Sequence, residues 1–225
     1  MIYIEKQRVV PVAFRNAIRG LATYDELAGA PRQAVIAVLL QEQGGLCAIC
    51  ERKAQAFTPT IEHFLPQSVF PHLQLDYHNL YIACQACNGP KGAHLIPAYM
   101  FDPRMDPRDA SDLDGLRPRF EYGDSDCYIK VPAAAIVSKP IAIDTPLRRS
   151  AYLLSMTLDL MEQNRPRLTK ARHEVYRTFL KKIKNLPPNK LRDKWEAYQA
   201  LPQNAPYDEF FSLRCQLLKQ ALKIR

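Results

Sequence analysis

Two cysteine pairs, Cys47-Ala48-Ile49-Cys50 and Cys84-Gln85-Ala86-Cys87, constrain this chain more than any other feature. Each is a C-x-x-C turn; Gly44-Gly45 stands shortly before the first and Asn88-Gly89 directly after the second. Two such turns can close one tetrahedral four-cysteine zinc site, which leaves no coordination position open, so the ion is expected to be structural. An ion held this way supplies folding free energy to a small irregular unit that lacks a large core. Four unrelated buried thiols would leave the spacing without a reason. Cys127 and Cys215 are isolated and read as plain buried thiols.

The rest of the composition narrows the class. Hydrophobic residues make up 47% of the 225, enough for a core in one large or two small domains. The longest uninterrupted apolar run, Ala34–Leu40, is far too short to span a membrane, and no membrane contact is expected. Met1–Lys6 has no basic stretch followed by an apolar one, so no signal peptide is read and the expected compartment is the cytoplasm. In that compartment paired cysteines point to metal rather than to disulfides.

The net charge of +8 is unevenly distributed. From Arg148 to Arg225 there are 17 Lys and Arg against 7 Asp and Glu, whereas the first 147 residues hold 14 against 16. The positive excess therefore lies wholly in the C-terminal third. Such an excess suits contact with a polyanion or with a partner protein, or forms a solvated basic face.

Four segments follow along the chain. Residues 1–44 read as a short strand at Met1–Glu5 followed by helices over Pro11–Leu21 and Pro31–Gln43. In the second helix Val35, Leu39 and Leu40 share a face, and Gly44-Gly45 ends it. Residues 45–97 form the compact motif region, with a β-type segment at Thr58–Phe64 and Asn79–Asn88 entering a short helix. Residues 98–143 are different in kind: Met100–Asp126 holds eight acids and three prolines and reads as a loop-rich wrap. A hairpin is expected between Phe120–Tyr122 and Tyr128–Val131. Residues 144–225 form a basic helical region. Asp144-Thr145-Pro146 starts a helix running to about Met161. Arg167–Lys184 aligns Leu168, Ala171, Val175, Phe179 and Ile183 on one stripe, and Pro187-Pro188 and Pro202–Pro206 punctuate two further helices.

The side chains between the cysteine pairs carry the chemistry. A neutral imidazole at His63 can take a proton from water and so make a nucleophile for attack on phosphorus. Phosphodiester cleavage also needs a cation against the charge developing on the phosphate oxygens, and hard cations such as Mg²⁺ prefer oxygen ligands. Glu62 and the side-chain carbonyl of Asn88 can supply them. On a strand Glu62 and His63 point to opposite faces. The metal and the water must then either approach from two sides or meet at a bend. Asn79 can pin the loop that carries His63, or cap a helix. Lys91 can meet a phosphate, or lie exposed at a helix end. His78 can bond substrate or be exposed, while His72 and His94 read as surface residues.

Taken together, Cys47-x-x-Cys50, Glu62-His63-x-x-Pro66, Asn79-Leu80, Cys84-x-x-Cys87-Asn88 and Lys91-Gly92 resemble the HNH, or ββα-metal, endonucleases in their four-cysteine form. The resemblance implies an α+β, mostly helical chain. A small zinc-stapled ββα-metal core would stand between an N-terminal helical segment and the basic C-terminal helices. It implies His63 as general base, Asn79 as the central asparagine, and Glu62 with Asn88 as ligands of a catalytic Mg²⁺ or Mn²⁺. The chain departs from the commoner pattern twice: Glu62 stands where Asp is usual, and Asn88 where His is usual. More broadly, the start at Met1–Lys6, Phe101-Asp102-Pro103-Arg104, and Leu158-Asp159-Leu160 with Leu168-x-x-Ala171-Arg172 look like the nuclease subunit of Septu-type and some retron-associated antiviral systems. That likeness implies a nuclease coupled to an ATPase partner and acting on nucleic acid, DNA in preference to RNA. The chain has no GxxxxGK[ST] loop, so ATP would be bound by the partner. Lys91, Lys181, Lys182 and Lys184 are the expected nucleic-acid contacts. The remaining readings are an RNA-cleaving toxin-like effector and a non-catalytic zinc-stabilised binding module.

Overall fold

A short helix, α1 (Val12–Ala17), leads through a 3-10 turn at Tyr24–Glu26 into the longer α2 (Gly29–Glu42) in the computed structural model. The structure describes Ile4 and residues 6–92, 121–122, 129–130, 166–201 and 207–223. The first helix is shorter than its sequence suggests. It is capped at Ile18, and Gly20 takes φ +81°, where the chain turns away. The second ends as expected: Gly44 and Gly45 both take positive φ, Gly44 N donates to Gln41 O at 3.1 Å and Gly45 N to Leu40 O at 2.8 Å. These paired bonds satisfy carbonyls that a helix end otherwise leaves open.

Strand β1 (Pro59–His63) pairs antiparallel with β2 (Leu80–Cys84), placing Ile61 opposite Ile82 and His63 opposite Leu80. Helix α3 (Gln85–Lys91) follows at once and packs on both strands. The segment Asn79–Asn88 enters a short helix as expected, but only at Gln85, after strand β2. All five of its residues are buried, because α2 and α3 both pack on it. A short strand covered on both faces shows no alternation, so periodicity cannot tell it from a buried helix.

Val35, Ile36 and Leu39 of α2 meet Ile61, Leu80 and Ile82 of the sheet, with Phe14 of α1, Leu27 and Tyr77 in the same core. Each such apolar side chain contributes about 1.5–3 kcal/mol by leaving water. Residues before and after position 44 therefore share one core, and the first two sequence segments are one packing unit. A buried polar group ties the start of the chain to it. Lys6 Nζ pairs with Glu42 at 3.1 Å, Tyr77 OH donates to the same carboxylate, and Gln7 N donates to Tyr77 OH at 3.1 Å. The segment 207–209 belongs to this unit as well: Tyr207 N donates to Gly44 O at 3.1 Å, and Arg52 Nε lies 3.6 Å from Glu209.

The second unit contains a two-stranded antiparallel ladder, β3 (Glu121–Tyr122) with β4 (Ile129–Lys130), where the hairpin was expected. It also contains α4 (Pro166–Ile183), α5 (Pro188–Gln199) and α6 (Phe211–Leu222). Pro166 and Pro188 occupy first-turn positions, where a missing N–H costs nothing. Among the described residues of this unit, helix α6 is the central one. Phe211, Leu213, Cys215, Leu217 and Leu218 are all buried, and α4, α5 and β3 pack on it. On α4 the buried stripe is Leu168, Thr169, Arg172, Phe179 and Ile183. Ala171 and Val175 are half-buried. Apart from Ile4 and Glu121–Tyr122, the expected strand at the N-terminus and the wrap over Met100–Asp126 lie outside the described residues, as do the helix from Asp144 to Met161, Cys127 and His94. Among the described residues, no helix is long and apolar enough to cross a membrane.

Candidate active site

Cys47, Cys50, Cys84 and Cys87 converge so that their four Sγ atoms lie within 4.8 Å of one another, all buried. No disulfide joins them. A tetrahedral ion with bonds of about 2.3 Å to sulfur sets its ligands roughly 3.8 Å apart. Cys50 and Cys84 are separated by 3.8 Å. Backbone N–H groups of Cys50 and Cys84 point at Cys47 Sγ from 3.5 and 3.3 Å, the arrangement that stabilises negative charge on sulfur. Burial pushes the Cys47 thiol well above its ordinary range, while hydrogen bonds from Cys47 and Cys50 draw Cys84 down. The donor set is soft, closed and dry, and it can hold a metal such as zinc.

The first cysteine turn is built by its backbone. Leu46 bridges Lys53, Cys47 N donates to Arg52 O at 2.9 Å, and Glu51 takes φ 62° to close the loop. Gln43 joins this turn to β2. Its amide nitrogen donates to Leu46 O at 2.8 Å and Ile82 O at 2.9 Å, and its oxygen accepts from Ile82 N at 2.6 Å. Ala48 N donates to the same Ile82 carbonyl at 2.9 Å. Gln43 thus does at β2 what a third strand would do.

Next to this lies a cleft of about 550 Å³ lined by Ile61, Glu62, His63, Asn88 and Lys91 together with Pro66, Gln67, Ser68, Pro71 and Gly92. Glu62 and His63 do face opposite ways. Glu62 is buried against α3, where Lys91 Nζ pairs with it, and Thr60 on the same face meets Asn88. His63 turns to the other side, its ring edge-on to Tyr24 at 4.7 Å between centroids. Both border one cleft because His63 is the last residue of β1.

The imidazole Nε2 of His63 lies 3.0 Å from Gln74 O. A carbonyl only accepts, so the proton is on Nε2 and the free lone pair on Nδ1. Burial pulls the pKa of the ring below its ordinary 6.5, so the neutral form prevails near pH 7. Gln74 is itself fixed, its side-chain oxygen accepting from Tyr24 N at 3.0 Å and from Gln67 Nε2 at 3.2 Å.

Asn79 is 5% exposed and is not one of the residues that line the cleft. Its Oδ1 accepts from Leu65 N at 2.7 Å, and its Nδ2 donates to Leu65 O at 3.0 Å and Leu73 O at 3.1 Å. Its backbone carbonyl accepts from Phe64 N at 2.9 Å. These bonds hold the chain directly after His63. Helix capping is not its role, since Asp76 caps this 3-10 turn by accepting from His78 N at 2.7 Å. Asn88 spends its amide hydrogens on Thr60 Oγ1 at 3.0 Å and Ile61 O at 3.2 Å, which leaves its carbonyl oxygen as the available acceptor. Burial pushes the Glu62 carboxyl up to about 7, against the pull of Lys91.

Lys91 differs most from its sequence reading. It is neither exposed at a helix end nor turned to solvent: it is 2% exposed, with its ammonium on Glu62 and on His63 O. The reason is helical spacing, because Lys91 lies three residues after Asn88 and shares the face that α3 presents to β1. His72 and His78 are exposed. Lys181, Lys182 and Lys184 belong to the second unit and are exposed at the end of α4. With Arg167, Lys170 and Arg177 they make that surface strongly cationic, Glu174 being its one acid.

Gln43, Tyr24 and Gln74 were not singled out in the sequence. Gln43 carried a faint signal as the last residue before Gly44-Gly45. Tyr24 and Gln74 carried none, because each acts on His63 from a distant part of the chain.

No family model matches the chain. It is 36% identical over 58 residues to the Septu protein PtuB of Bacillus thuringiensis, a match covering 25% of this chain and 23% of that protein. The chain thus spans about a quarter of the length of the relative it matches.

Proposed function

We propose that this chain is a metal-dependent HNH endonuclease that hydrolyses phosphodiester bonds, in DNA rather than RNA, as the nuclease of an antiphage defence complex with an ATPase partner. One observation carries the reading. A half-buried neutral histidine with its lone pair on Nδ1 and two oxygen donors, Glu62 and Asn88, border a single cleft next to a four-cysteine cluster. A binding module has no use for that combination.

His63 takes the proton of an attacking water at Nδ1, and the Gln74 carbonyl favours the imidazolium that results through the Nε2–H bond. Asn79 keeps the chain after His63 from shifting. A hard divalent cation held by Glu62 and Asn88, Mg²⁺ or Mn²⁺, supplies positive charge against that developing on the phosphate oxygens. Zinc at the four cysteines supplies folding free energy rather than chemistry. The exposed cations of α4, among them Lys181, Lys182 and Lys184, hold the polyanion.

Direct attack by water does not use a 2′-hydroxyl, so the cleft chemistry serves both nucleic acids, and the preference for DNA rests on the family resemblance. The short identity with a Septu protein supports the defence setting. Incubating the purified chain, alone and with co-purifying neighbours, with supercoiled plasmid and with structured RNA in Mg²⁺ tests the reading. Nicked plasmid supports it, RNA fragments with intact plasmid transfer it to RNA, and no product on either substrate refutes it.

A further inference from the structure

Lys91 and Glu62 form an ion pair in which both side chains are withdrawn from water, at 3% and 6% exposure, on the wall of the cleft. We propose that Lys91 is the resident counter-ion of Glu62 and is exchanged for the divalent cation when the cleft is loaded. This rests on the reading of Glu62 and Asn88 as cation ligands.

Three features of the site support an exchange over a fixed strut. First, a carboxylate buried without a partner is strongly unfavourable, so the ionised form of Glu62 needs a cation beside it, and the ammonium is its described partner. A divalent ion brings twice the charge to the same oxygens and is the harder match for them. Second, the ammonium has somewhere to go. Lys91 also donates to the His63 carbonyl, at the edge of the cleft where a phosphate must sit, and Lys91 itself lines that cleft. Leaving Glu62, it keeps one partner and turns its charge toward the substrate. Third, the backbone permits the movement. Lys91 is the last residue of a seven-residue helix, between Pro90 and Gly92, and Gly92 takes φ +49°. A Cβ built on Gly89 would meet nothing within 4 Å, so α3 is open on the face that Gly89 presents, although Lys91 itself is buried.

The exchange explains why an acid that must hold a metal is found already paired. It also predicts that Lys91 opposes metal binding, whereas a strut that positions Glu62 would assist it. Mn²⁺ affinity, read by electron paramagnetic resonance on zinc-loaded protein without substrate, separates the two. Lys91→Met is expected to bind Mn²⁺ about tenfold tighter than wild type or better, since it removes a competitor worth more than 1.4 kcal/mol. Asn88→Ala should weaken Mn²⁺ binding in either background. Lys91→Met leaves Glu62 unpaired and so tends to unfold without metal; the wild-type protein therefore provides a second readout. The ¹⁵N resonance of the Lys91 ammonium, slowly exchanging while paired, should lose its protection on saturation with Mg²⁺. Lys91→Met affinity no tighter than wild type, or a Lys91 resonance unmoved at saturation, overturns the exchange and makes Lys91 a strut. Absence of Asn88-dependent Mn²⁺ binding in every variant is a different failure: it removes the cation site itself and the exchange with it.

Discussion

His63 donates from Nε2 to the carbonyl oxygen of Gln74 across 3.0 Å, and that contact decides which nitrogen can act as a base. Gln74 lies eleven residues away and is tied to Tyr24, so a turn far up the chain fixes the tautomer at the cleft.

The pH dependence follows from burial of the ring. Burial lowers the His63 pKa, so the neutral base persists below pH 6.5, its ordinary midpoint. At saturating Mg²⁺, which holds Glu62 ionised, the acid limb of a kcat/KM profile for cleavage should therefore have its midpoint below 6.5. The same shift has a stability consequence. Between the folded pKa and 6.5 the unfolded chain binds more protons than the folded one, so stability falls as pH drops through that window. Tyr24→Leu, which removes the ring packed on His63, should move the acid limb back toward 6.5. A limb unchanged by Tyr24→Leu would show that Tyr24 does not set the environment of His63.

Gln43 should matter to stability far more than a surface glutamine. Gln43→Leu fits the volume but strips the partners from Ile82 N and Leu46 O. Unsatisfied buried backbone groups cost about 1–3 kcal/mol each, so a loss of about 2–4 kcal/mol is expected in chemical denaturation. Gln43→Glu should give no rescue, because a carboxylate cannot donate to the two carbonyls. A loss under about 0.5 kcal/mol for Gln43→Leu would contradict the bridging role.

Metal content provides a third check. The protein should purify with one zinc per chain, and Cys84→Ser should lose it together with much of the thermal stability of the first unit. Strong chelation of the wild type should lower Tm in the same direction. Well-folded protein free of zinc would mean that the four thiols pack without an ion.

The cysteine cluster and the residues of the cleft were legible because ligand spacing and short motifs are local. The cationic face of α4 was legible because its stripe repeats at helical spacing. The position of strand β2 was not, since Leu80–Cys84 is covered on both sides and shows no alternation. The pairing of Lys91 with Glu62 was hidden for another reason: sequence shows what a lysine can reach, not which carboxylate it meets after folding. Gln43 bonds backbone atoms of Leu46 and Ile82, and Gln74 meets the His63 ring through its own backbone carbonyl, and backbone partners leave no trace in residue type.

The basic face can be tested by charge reversal. Lys181→Glu, Lys182→Glu and Lys184→Glu together should weaken DNA binding and flatten its salt dependence by about one unit of slope per lost phosphate contact. Folding should be untouched, because all three side chains are exposed. Unchanged binding with loss of a co-purifying ATPase would make α4 a protein-docking surface.

The central claim is that this cleft cuts phosphodiester bonds with His63 as the base, and single-turnover cleavage of supercoiled plasmid by His63→Ala at saturating Mg²⁺ tests it most directly. Zinc content and circular dichroism should match wild type, while the rate falls by about 10²–10⁴-fold. A His63→Ala protein that cuts at the wild-type rate would contradict the account.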